Sequence, residues 1–214
     1  MFNQFEIMKQ KSFNYQFIYK QNFKNFYVNK TNFHAFNGLI KNNLKLSFLY
    51  GPPKSGKSFL SQIWLKKNNA FQYKNNLQFL LDKRKNVLID TLLDFEQEKI
   101  FHIVNNCILN DLNILITSNK KINEVKFDFN DLSSRIKTFS NLEINQPDDD
   151  MLVTILTKLL IDKQFIIKSN DIFEYMLRRI ERSYLGIHDI VNRLDVISLE
   201  QKRQLTIPLI KEIL

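Results

Sequence analysis

The stretch Gly51-Pro52-Pro53-Lys54-Ser55-Gly56-Lys57-Ser58 is spaced to hold phosphate, fitting GxxxxGK[ST] at every fixed position. Glycine is scarce, 4 in 214 residues, so two of them five positions apart carry information. Glycine lets backbone approach an anion closely, and N–H groups of the loop and the helix after it point at its oxygens. Lys57 would reach β- and γ-phosphates, and the Ser58 hydroxyl would ligate Mg²⁺. Phe59 follows and joins the same nucleotide-binding set. A chance Gly-Lys-Ser turn would lack a strand before it and a helix after it. Both are present here.

The mostly apolar residues 44–50 read as a buried strand ending at the loop, and residues 57–67 as a helix with Leu60, Ile63 and Trp64 on one face. Val87-Leu88-Ile89 is a second buried strand, closed by Asp90, and Ile114-Leu115-Ile116-Thr117 is a third. Between them, residues 94–110 show a helical apolar face at Ile100, Phe101, Val104, Cys107 and Ile108. Strands alternating with helices predict an α/β fold whose parallel sheet is sandwiched by helices. After Gln146-Pro147 only helical periodicity remains, over residues 150–162, 169–182 and 186–199. Leu205-Thr206-Ile207 before Pro208 predicts a short extended piece and a last helical turn. Residues 1–40 show no clean period.

Composition narrows the class. Apolar residues at 44% exclude wholesale disorder. No run approaches ~18 apolar residues, so no membrane-spanning helix is expected. Asn3, Gln4, Glu6 and Lys9 interrupt any secretory core at the start. Cys107 stands alone, which excludes a disulfide framework or a cysteine-rich zinc site and suits a reducing cytoplasm. The net charge of +9 is spread along the chain. It favours a generally basic surface, with a dedicated nucleic-acid face as the alternative.

A phosphate loop needs an acid at the end of a neighbouring strand to complete a Mg²⁺ shell, and Asp90 supplies it. ATPases of this kind often carry a second acid next, to orient the attacking water. Here that position is Thr91, and nothing places Asp94 or Glu96 in line. Binding is therefore better supported than turnover. His34, His102 and His188 lack metal-ligand spacing, and Asp148-Asp149-Asp150 suits a helix N-terminus better than a metal site.

With these pieces in order, the sequence resembles the P-loop NTPases of the AAA+ class in the bacterial replication-initiator group, and within it the Hda-type regulators of DnaA. Residues 23–32, including Val28 and Asn29, look like the segment lining the adenine pocket. Ser118 and Asn119 close a strand similar to sensor 1. Asp131-Leu132-Ser133-Ser134-Arg135 looks like the box VII motif, which ends in an arginine finger, and residues 203–214 are very like the close of an Hda lid. Gln4, Phe5, Ile7 and Met8 resemble a sliding-clamp-binding peptide.

The resemblance implies a tail at 1–14, an AAA+ core at 15–145 and a small all-α lid domain at 146–214. It implies bound ADP or ATP with Mg²⁺ (through Ser58 and Asp90), and a clamp-dependent regulator that stimulates hydrolysis of DnaA-bound ATP through Arg135 acting in trans. The partners it implies are DnaA, the sliding clamp, DNA indirectly through the clamp, no membrane, and a possible second copy of the chain. DnaA continues past its lid into a DNA-reading domain, whereas this sequence closes at Leu214, which favours the regulator. Leu185 stands where many lids carry a sensor 2 arginine, with Arg179 and Arg182 within about a turn; together with Thr91 it predicts weak or absent intrinsic hydrolysis. A truncated initiator or loader on DNA, and a self-sufficient ATPase, are the alternatives.

Overall fold

The computed structural model describes residues 26–78, 83–167, 169 and 171–214. Two compact units emerge: one comprises the described residues up to Asp148, the other Asp149–Leu214.

In the first unit five strands form one parallel sheet: β1 (Leu46–Tyr50), β2 (Phe71–Gln72), β3 (Val87–Ile89), β4 (Ile114–Ser118) and β5 (Ser140–Glu143). Their order is β2-β3-β4-β1-β5. β1 is thus flanked by β4 and β5, in register Tyr50 with Ser118 and with Glu143, while β3 pairs with β4 through Ile89 and Ile116. β4 therefore lies between the strand that launches the phosphate loop and the strand that ends at Asp90.

The apolar runs read from sequence are these buried strands: every residue of β3 and β4 is buried, as a parallel sheet requires. The flanking helices are α1 (Phe33–Phe36, continued by a π-helical turn Asn37–Lys41), α2 (Lys57–Lys67), α3 (Gln97–Leu109) and α4 (Asn130–Ile136). α2 packs on β3 and β4, and α3 packs on α4. One side-chain cluster joins sheet and helices, with Phe48, Ile89 and Ile116 from the strands and Ile100, Val104 and Cys107 from α3. Burial pushes the Cys107 thiol up to about 12, so it behaves as a small apolar residue.

The second unit is wholly helical among the described residues: α5 (Asp149–Asp162), α6 (Asp171–Leu177), α7 (Tyr184–Gln201) and α8 (Ile207–Lys211). Leu152, Leu156 and Leu160 recur every four residues along α5 and meet Met176, Ile187, Val191, Leu194 and Leu209 in a core of their own. Two caps set the later helices. The Ser183 Oγ accepts from Gly186 N at 3.0 Å, and Thr206 caps α8 with Pro208 in its first turn.

The second helical segment is shorter than the periodicity predicts, ending at Leu177 instead of 182. Arg178 to Arg182 form the turn that leads into the Ser183 cap. β2 and β5 carry too little apolar pattern to be read from sequence: one has two residues and the other is Ser-Asn-Leu-Glu. No described helix is long and apolar enough to cross a membrane.

Candidate functional site

The chain leaves β1 at Tyr50 and enters α2 at Lys57, and the intervening loop is shaped around an anion. Gly56, the N-cap of α2, has φ 91°, a left-handed conformation that disfavours any side chain. At Gly51 the constraint is space, since a Cβ there would fall 2.5 Å from the carbonyl oxygen of Ile144. α2 carries no acidic residue in its first turn and no side-chain cap, so no carboxylate of that turn competes for its leading N–H groups. The buried Ser55 Oγ has no hydrogen-bond partner among the described residues.

Lys57 is only 8% exposed. Its Nζ donates to the carbonyls of Gly51 at 3.0 Å and Pro52 at 2.7 Å. Burial lowers its pKa from 10.5 to about 8, partly opposed by the negative charge of Asp90. An ammonium desolvated this far, held by carbonyls of a loop that also carries the unpartnered Ser55 hydroxyl, fits an incoming phosphate. The residues present suit a nucleotide's phosphates.

Asp90, at the end of β3, faces the same place. Its Oδ1 accepts from the Ser58 hydroxyl at 3.2 Å and from the Thr117 hydroxyl at 2.7 Å. The Thr117 oxygen in turn accepts the backbone N–H of Thr91 at 2.7 Å. Thr91 has φ 65° and ψ 84°, an outlier for a β-branched residue, and this N–H contact helps hold it. The described residues contain no group of three or more His, Cys, Asp or Glu side chains able to hold a metal. Two protein oxygens, Ser58 and Asp90, suit Mg²⁺, which keeps several waters and takes phosphate oxygens besides.

The other residues singled out from sequence fall in different places. Ser118 is buried and its Oγ accepts from Lys120 N at 3.0 Å, while Asn119 is exposed. The β4 residue that reaches Asp90 is Thr117, one position earlier. The Asn29 side chain is committed to its own turn, accepting from Thr31 N and Oγ1 and donating to Asp148 Oδ1 at 2.9 Å. Val28 beside it is half-buried.

What brings this N-terminal segment to the loop is Phe26. Its ring stacks on Phe59 (centroids 5.8 Å apart) and on Phe36 (6.0 Å), and lies against Gly56. Neither Thr117 nor Phe26 was singled out from the sequence. Both lie inside segments the sequence marks out, Thr117 in the strand similar to sensor 1 and Phe26 within residues 23–32, with nothing to set them apart from their neighbours there.

Arg135 occupies the last turn of exposed α4 surface, its guanidinium 5.6 Å from the centroid of the Phe101 ring. In the helical unit Leu185 is 40% exposed on α7. The two arginines near it in sequence are occupied within that unit: Arg182 pairs with Asp149, and Arg179 lies 3.8 Å over the Tyr175 ring. Gln4, Phe5, Ile7 and Met8 lie outside the described residues.

Comparison with known proteins places this geometry. Residues 149–214, the entire helical unit, match the family described as Hda, lid domain. Domain III of the Thermotoga maritima replication initiation protein DnaA is similar in structure, with TM-score 0.73 at 17% identity over 91% of this chain and 95% of that one. DnaA from Aquifex aeolicus, solved with AMPPCP, superposes with TM-score 0.64 at 17% identity, over 84% of this chain and 68% of that one. Thermotoga maritima RuvB gives 0.61 at 14% identity, over 83% and 64%. At such identities the structural likeness establishes the fold, an AAA+ sheet with flanking helices. No curated protein matches by sequence.

Proposed function

We propose, from an AAA+ fold joined to a match to the Hda lid family, that this chain is an Hda-type, DnaA-related protein that binds ADP or ATP with Mg²⁺ and stimulates hydrolysis of ATP held by DnaA. It would act while docked on the DNA-loaded sliding clamp in the cytoplasm, resetting the initiator and preventing a second round. The lid match and the DnaA-like fold support the broader reading, a DnaA-related replication regulator. The clamp step and the trans action are the proposal.

One contrast carries the reading. The phosphate loop, Lys57, Ser58 and Asp90 meet as a holding site, yet the position after Asp90 is Thr91, whose N–H is tied to Thr117 and whose side chain offers no carboxylate to activate water. Bound Mg²⁺ would supply charge neutralisation between phosphate oxygens. This chain's part is to fix that charge: Lys57 turns from loop carbonyls to phosphate, and Thr117 keeps Asp90 aimed at Ser58. Retention of the nucleotide then shapes the protein, and Arg135 serves another subunit's γ-phosphate. The clamp contact is assigned to Gln4, Phe5, Ile7 and Met8, the residue bounds to a core at 15–145 and a lid at 146–214.

The test is hydrolysis of DnaA-bound ATP in the presence of clamp on DNA. Wild-type chain should accelerate it, and Arg135→Ala should not. Acceleration without clamp, or none at all, would defeat the proposal. Steady turnover by the isolated chain, lost on Lys57→Ala, would make it a self-sufficient ATPase.

A further inference from the structure

We infer that Phe101 is the positioning residue for Arg135, its ring holding the guanidinium ready for a phosphate carried by another polypeptide. The inference rests on the trans role of Arg135 proposed above.

A long cationic side chain on a surface ordinarily samples many rotamers, and a finger that must meet a phosphate gains from being held beforehand. The usual holder is a carboxylate. Asp131 stands one turn earlier on α4, at the spacing that favours a pair, yet Arg135 forms no ion pair among the described residues. A carboxylate would also neutralise the charge the finger is to deliver. An aromatic face holds the cation without taking its N–H donors, which stay free for phosphate oxygens.

The ring is itself fixed. Phe101, on α3, is half-buried and packs against the sheet core, and α3 and α4 pack together. At the other end, Thr138 Oγ1 donates to the carbonyl of Arg135 at 2.7 Å, tying down the backbone that carries the finger. Cation–ring contacts are frequent, so the 5.6 Å distance alone would mean little. Its combination with an exposed arginine that has no described carboxylate partner, and with a ring anchored in the core, is what points to orientation.

The experiment uses the full chain with DnaA-bound ATP and clamp on DNA, comparing wild type, Phe101→Leu, Phe101→Met, Phe101→Tyr, Phe101→Trp and Arg135→Ala. An exposed cation–π contact corresponds to about two- to fivefold. Leu and Met, which keep apolar bulk, should lower the maximal stimulated rate by about that factor, with half-maximal concentration and nucleotide affinity unchanged. Tyr and Trp should keep the wild-type rate. If Leu and Met match wild type while Arg135→Ala is inactive, the positioning role falls and the finger stands. If Tyr and Trp are as slow as Leu, packing and not the ring face is responsible, and the inference also falls. An Arg135→Ala variant as active as wild type would remove the reading beneath it. Should the Leu variant melt early, the Met, Tyr and Trp variants decide.

Discussion

The phosphate corner and the Arg135 surface are built on opposite principles. At the corner the charged groups and their neighbours answer one another, with the Ser55 hydroxyl left over: Lys57 to two carbonyls, Ser58 and Thr117 to one Asp90 oxygen, Thr91 N–H to Thr117. Lys57, Thr117 and Ser118 are nearly inaccessible. Arg135 is exposed, and among the described residues its side chain meets only an aromatic face. A site whose charged groups are already held suits retention of a ligand, because little must rearrange when phosphate replaces carbonyl oxygens. A cation left without a described carboxylate suits delivery to a partner. The two regions thus divide holding from acting, and variants in each should separate two observables, nucleotide affinity and stimulated hydrolysis on a partner.

The largest effect should come from Arg135→Ala. Loss of a trans arginine finger costs roughly 10³–10⁵ in rate, so stimulation of DnaA-bound ATP hydrolysis should vanish in single-turnover assays, with this chain's nucleotide Kd unchanged. A changed Kd would mean that the two regions are not separate. The mirror variant is Lys57→Ala. Charge-assisted hydrogen bonds contribute about 1.5–3 kcal/mol each, so nucleotide affinity by calorimetry should fall by about 100-fold. Retained affinity would refute the phosphate role of the buried lysine.

How much of this was legible follows from which interactions are local. The phosphate loop was, because its chemistry is written in fixed spacing within eight consecutive positions, Gly51 to Ser58. So were the strands that a parallel sheet buries on both faces. β5 was not, because Ser140-Asn141-Leu142-Glu143 has a single buried side chain and is recognised only by its pairing with β1. Thr117 shows the limit most clearly. Choosing it over Ser118 and Asn119 requires knowing that Ile89 lies opposite Ile116, a register between strands far apart in sequence. Phe26 is hidden for the same reason, since its partners Phe36 and Phe59 are meaningful only once the chain has folded over the loop.

Thr117→Val sharpens the division within the holding half. The substitution keeps the β-branched shape in β4 but removes the donor to Asp90 and the acceptor for Thr91 N–H. Leaving buried polar groups unpaired costs about 1–3 kcal/mol. We expect a lowered melting temperature and, because Asp90 loses its aim at Ser58, a Mg²⁺ requirement for nucleotide binding about tenfold higher. Phosphate-only binding without Mg²⁺ should be nearly unchanged. An unaltered Mg²⁺ dependence would show that Asp90 is held by other means.

The smallest effect is a proton. Lys57 has a folded-state pKa of about 8 against 10.5 for an ordinary lysine, chiefly because burial disfavours its charged form. Below pH 8 the folded chain carries a desolvated ammonium, so this group opposes folding there, and the penalty disappears as pH rises through 8 towards 10.5. Nucleotide binding should run the other way. Phosphate favours the ammonium and raises its pKa, so affinity should hold below pH 8 and fall above it by up to tenfold per unit. Near pH 8, where the free chain is half-protonated, binding should take up about half a proton, and near pH 7 almost none. Calorimetry in buffers of different ionisation enthalpy reads this directly. Equal uptake at both pH values would mean that Lys57 is not the titrating group, and that the cradle is not held by the buried cation to which its geometry leads.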